Sequence, residues 1–176
     1  MGGALSRSAP GAGARFELRL PITAETALGD FSDDAEFALA HDLDDEQLKP
    51  YFELKNVIDG VFMVANKLYD LHFEEISDVE KYHPDVKTYN VTDSAGNDIA
   101  LFYADFHPRP GKRDGAWMTV YKSQFRKNGQ NERPHISIVC NFTKPTEDEP
   151  SLLTFNEVTT LFHEFGHALH GMLANT

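Results

Sequence analysis

The last seventeen residues, 160–176, read TLFHEFGHALHGMLANT. With Val158 just upstream, Leu161, Phe162, Phe165, Leu169 and Met172 recur at helical spacing and gather on one side of a helix of 3.6 residues per turn. His163, His167 and His170 fall on the opposite side. The start of the helix is legible too. Thr154 followed three residues on by Glu157 forms a capping box, and Leu153 with Val158 supplies the hydrophobic staple, so the helix is predicted to begin near Phe155. One face builds core and the other presents imidazoles.

That arrangement gives the H-E-x-x-H order its chemistry. Residues i and i+4 lie roughly 6 Å apart along a helix, so His163 and His167 can converge on one zinc ion at about 2 Å each. Glu164 projects to the flank of this stripe, too far round to be a third ligand. It is placed to act as the catalytic general base, taking a proton from a zinc-bound water in peptide hydrolysis. The competing reading is an exposed helical face with chance histidines; the capped helix, its apolar opposite side and Gly166 between the histidines favour the metal site. His170 lies about 10 Å from His163 along the axis and cannot share its ion, so it is read as supporting the site or the helix, with contact to substrate as the alternative. The longer metzincin motif needs Gly at position 170 and His at 173; the chain has His170 and Leu173.

Upstream, LDDEQLKPYFELKNVIDGVFMVANKLYDL (43–71) predicts a second helix, capped by Asn56, with Val57, Val61, Phe62, Ala65, Leu68 and Tyr69 on its packed face. Between the helices, LHFEEI, VKTYNVT, DIALFYADF, AWMTVY and PHISIVCNF read as strands. The Gly-containing DSAGN joins the second and third as an antiparallel hairpin. Both faces of DIALFYADF are apolar, so it is expected to run inside the sheet. RPGKRDG lacks the spacing of a phosphate loop and reads as a turn between strands. Cys140 alternates with Ile136, Ile138 and Phe142 and reads as a small buried residue rather than a nucleophile. Trp117, Tyr121 and Tyr103 read as core or hairpin aromatics, and His72, His83, His107 and His135 lack ligand spacing. Before Phe16 the chain is rich in Gly, Ala, Ser and Pro. FELRLPI and DDAEFALAHD carry weak strand and helix patterns.

The chain has 176 residues, the size of one domain or a piece of one. Its 28 acidic against 16 basic residues give a net charge of -12, which disfavours nucleic acid and anionic membranes as partners. One cysteine excludes an intramolecular disulfide and points to a reducing, cytoplasmic setting. No signal-peptide core and no membrane-length apolar run is present.

LFHEFGHALHGML, with CNFTKP, ADFHPRPGKRDGAW and LKPYFELKNVIDGVFMVANKLYDL, closely resembles the catalytic region of the M3 family of zinc peptidases. That family includes peptidyl-dipeptidases, oligopeptidase A and thimet oligopeptidase, and the wording most resembles a bacterial peptidyl-dipeptidase. The resemblance runs from about Leu43 to Thr176. It implies zinc ligation by His163 and His167, catalysis by Glu164, and short peptides as substrates. It also implies a third ligand, a glutamate some two dozen residues beyond the motif, and later tyrosine and histidine residues that steady oxyanion and substrate. The chain ends nine residues after His167. Glu74, Glu75, Asp105 and the TEDE run of residues 146–149 read as strand or loop residues rather than substitutes. By resemblance an edge strand, AWMTVY in preference to PHISIVCNF, pairs with the extended substrate.

The expected architecture is α+β: a zincin-like catalytic fragment with an upstream helix, a small mostly antiparallel sheet and a C-terminal HExxH helix, drawn from a mainly α-helical family. Residues 1–42 are expected to be a flexible or unassigned leader and 43–176 a partial peptidase domain, with exposed apolar surface where further helices would pack. The alternative is an inactive metal-binding or interaction fragment that lacks the third ligand.

Overall fold

The computed structural model describes residues 45–175. The expected leader and the FELRLPI and DDAEFALAHD patterns lie outside the described residues. A short helix α1 (Asp45–Leu48) and a 3-10 turn (Lys49–Tyr51) lead into α2 (Leu54–Tyr69). Strands β1 (His72–Ile76), β2 (Lys87–Thr92), β3 (Asp98–Asp105), β4 (Trp117–Lys122), β5 (Phe125–Lys127), β6 (Gln130–Glu132) and β7 (His135–Val139) follow, and α3 (Phe155–Met172) closes the series.

Five strands form one mixed sheet in the order β1-β2-β3-β7-β4. Three of its pairings are antiparallel; β3 and β7 are parallel, because β7 inserts between β3 and the edge strand β4. The β2–β3 hairpin forms as the DSAGN turn predicts. Asp93 accepts from the backbone N–H groups of Ala95 and Asn97, each at 2.9 Å. β3 is central, and PHISIVCNF supplies the interior strand β7, which removes it as a candidate edge. The separate β5–β6 hairpin was not anticipated. Its signal is Asn128-Gly129, both at positive φ (52° and 79°), as a tight two-residue turn requires.

Both long helices lie on one face of the sheet. Leu54, Val57, Val61 and Ala65 of α2 and Leu161, Phe165, Ala168 and Met172 of α3 are buried with Val91, Phe102, Ile136 and Ile138 from the strands. Phe62 stacks on Phe73 at 4.2 Å between ring centres, and Phe165 meets Phe102 edge-on at 5.9 Å. Each large apolar side chain so buried contributes about 1.5–3 kcal/mol.

Two helix expectations need correction. α2 starts at Leu54, with Glu53 rather than Asn56 at the cap position and no side-chain cap bond. Tertiary backbone pairing sets this start: the Leu54 N–H donates to Ser151 O and the Leu153 N–H to Phe52 O, both at 2.8 Å. The apolar stripes also run on past their cover. Leu68 is 66% exposed, Tyr69 49% and Phe162 40%. Periodicity reports the side of a helix a residue occupies, not how far the covering layer extends.

On the other face of the sheet Thr88, Tyr103, Ser137 and Thr119 stand in register. The segment between β1 and β2 folds over them and delivers Tyr82, whose hydroxyl donates to Asp105 Oδ2 at 2.9 Å. Asp105 is buried. Arg109 grips its two oxygens at 2.6 and 2.8 Å, and the Lys112 ammonium reaches Oδ1 at 2.9 Å. Burial would raise the Asp105 carboxyl, but hydrogen bonds from Arg109, Lys112 and Tyr82 outweigh it and hold it below the ordinary carboxylate range. With its folded value below its unfolded value, Asp105 stabilises the fold fully above about pH 4, and that stabilisation is lost as pH falls further. Urea unfolding between pH 7 and 2.5 is expected to show the midpoint falling below about pH 4, with a shallower fall in Asp105→Asn; equal slopes would contradict this.

Candidate functional site

α3 is held at three places. At its start the Glu157 N–H donates to Thr154 Oγ1 at 3.2 Å and the Thr154 N–H to Glu157 Oε2 at 2.8 Å, the reciprocal bonds of the capping box. Along its length it packs on β7 and β4, close enough at Gly171 that a Cβ would meet Ile136 Cδ1 at 2.8 Å. At its end the Arg133 guanidinium donates to Met172 O at 2.8 Å and Ala174 O at 3.2 Å, and its Nε to Ile99 O at 2.6 Å. A cation against the terminal carbonyls suits the negative end of the helix dipole. Arg133 carries no signal in a single sequence, since the carbonyls it serves come from distant segments.

Fixed in this way, α3 turns His163 and His167 outward. Both are exposed, their Nε2 atoms are 3.2 Å apart, and their rings cross at 82° with centres 4.8 Å apart. Two nitrogens bound at about 2.0–2.1 Å to one tetrahedral zinc are themselves about 3.3–3.4 Å apart, so the pair suits two corners of such a site. Glu164 is half-buried beside them, near enough to Cys140 for its charge to act on that thiol. His170 is exposed one turn further on.

The remaining candidates lie elsewhere. Glu75 pairs with Lys87 at 3.0 Å, Asp105 is engaged by Arg109 and Lys112, and Glu149 closes a turn with Thr146. Asp85 pairs with Lys144 at 2.7 Å and its N–H donates to His83 Nδ1 at 3.2 Å, and His107 Nδ1 lies 3.3 Å from Phe142 O. Among the described residues no group of three or more His, Cys, Asp or Glu side chains gathers to hold a metal. No helix among them is long and apolar enough to cross a membrane.

A sequence profile of Peptidase family M3 matches residues 30–176. The chain belongs to this family. It is 49% identical over 134 residues to a dipeptidyl carboxypeptidase of Escherichia coli, a match covering 76% of this chain and 19% of that protein. Oligopeptidase A of the same organism is 41% identical over 134 residues, covering 76% and 20%. The organellar oligopeptidase A of Arabidopsis thaliana is 46% identical over 139 residues, covering 76% and 18%. The chain thus spans about a fifth of the length of these curated relatives. Its relatives are peptidases, and the family reading made from LFHEFGHALHGML and the upstream blocks stands.

Cys140 is fully buried at the end of β7. Burial, reinforced by the negative charge of Glu164, pushes its thiol up to about 12. It is expected to react with a thiol reagent at neutral pH about a thousandfold more slowly in the folded chain than in denaturant, followed by mass spectrometry. Comparable rates would show the thiol to be accessible.

Proposed function

We propose that this chain is part of the catalytic region of a zinc-dependent oligopeptidase, and that the whole protein releases dipeptides from the free C-termini of short peptides. The observation that carries the reading is the 3.2 Å approach of His163 and His167 Nε2 on a rigidly seated helix, in a member of peptidase family M3. The choice of dipeptide release over internal cleavage is supported by 49% identity to a protein named dipeptidyl carboxypeptidase.

In this reading His163 and His167 hold the metal, and a third protein ligand comes from outside the described residues. When bound, zinc supplies Lewis acidity toward the scissile carbonyl and lowers the pKa of water. Glu164, on the flank of the pair, accepts the proton of the attacking water through a carboxylate oxygen and passes it to the leaving amine. Strand β4, the sheet edge beside α3, aligns the extended substrate by backbone hydrogen bonds. The lone cysteine suits a cytoplasmic setting.

The test is elemental analysis of zinc on the whole protein that contains this chain, with the third ligand supplied, paired with hydrolysis of a quenched peptide. Chelator-sensitive turnover with near-stoichiometric zinc supports the reading; a whole protein with neither sinks it. His163→Ala is expected to remove most of the bound zinc. Glu164→Gln is expected to retain zinc while turnover falls by roughly 10²–10⁴-fold. Zinc content unchanged in His163→Ala contradicts the ligand assignment, and zinc lost in Glu164→Gln contradicts the base assignment.

A further inference from the structure

Lys112 lies in the connection between β3 and β4, residues 106–116, and its side chain is only 4% exposed. Its Nζ donates to Asp105 Oδ1 at 2.9 Å, to Asp105 O at 3.0 Å, to His107 O at 2.8 Å and to Cys140 O. Charge balance does not explain it. Arg109 already engages both oxygens of Asp105, so a second cation leaves the cluster with a surplus positive charge in a buried place, an arrangement that is unfavourable unless other bonds offset it. What Lys112 adds is three backbone carbonyls from separate places: the end of β3, the start of the connection and the end of β7.

The last of these leads to the site. Cys140 carries Lys112 on its carbonyl, while its thiol feels the charge of Glu164. The connection is secured again at its far end, where Asn141 Nδ2 donates to Arg113 O at 3.0 Å and Gly115 O at 2.8 Å. Arg113 then lies over the Trp117 ring at 4.5 Å, at the head of β4. Among the described strands β4 pairs only with β7.

We propose that Lys112 is a positioning residue: its ammonium fastens the β3–β4 connection to the end of β7 and so fixes the edge strand β4 beside the helix that carries His163, Glu164 and His167. Its value for function rests on the reading of β4 as the strand that aligns substrate.

The test is hydrogen exchange by mass spectrometry on the 176-residue chain, comparing Lys112→Met with Arg109→Gln. In Lys112→Met the amides of β4 and of residues 106–116 are expected to exchange at least about tenfold faster while those of β1 to β3 and α3 keep their rates. Acrylamide should quench Trp117, the single tryptophan, more readily. A fluorescent extended peptide should bind at least about tenfold more weakly at unchanged zinc content. Arg109→Gln, which touches Asp105 but not β7, should leave exchange in β4 near that of the parent. Unchanged exchange in β4, or equal acceleration across the whole sheet, overturns the proposal. If Lys112→Met does not fold, Asn141→Ala carries the same measurement through the other attachment of the connection. A parent chain that does not bind the peptide defeats the reading of β4 as the substrate strand, while the exchange rates still decide what Lys112 does.

Discussion

The seating of α3 on β7 and β4 is the constraint from which the rest of the structure follows. Its buried stripe of Leu161, Phe165, Ala168 and Met172 fixes the rotation of the helix about its own axis, and Gly171 lets the helix approach Ile136 without a side chain between. Once that rotation is fixed, His163 and His167 have no choice but to face away from the core. The distance between their nitrogens is then set by one helical turn and two rotamers. Packing on one side of the helix and the paired imidazoles on the other are a single geometric fact.

A second constraint works on the opposite face. Asp105 is a buried carboxylate at the end of the central strand, and its burial is tolerated because two cations and a tyrosine hydroxyl surround it. The same cations belong to the connection that leads to β4. The group that would be most costly to bury is therefore also the group that anchors the connection to the edge strand.

Much of this was legible beforehand, for identifiable reasons. The capping box at Thr154 and Glu157 is local, so the sequence marks the start of α3 correctly. The start of α2 depends on backbone pairing with residues 151–153, about a hundred positions away, and Asn56 misled because nothing nearby reports that pairing. Strand existence followed from alternation, but the parallel insertion of β7 between β3 and β4 did not, since order within a sheet is a long-range property. The two imidazoles were placed from spacing alone. Arg133 and Lys112 were not, because each serves main-chain carbonyls, which leave no mark in the side-chain pattern.

Among the described residues β4 pairs on one side only. A strand paired on one side only is a template for any other extended chain, including a second copy of itself, and Val120 and Tyr121 make this one attractive to apolar partners. The register shift between Val120 and Lys122 interrupts the regular ladder, and Lys122 adds a charge at its end. Irregular pairing and a lysine are the means by which natural sheets resist self-association. They limit how far such a contact can run along β4.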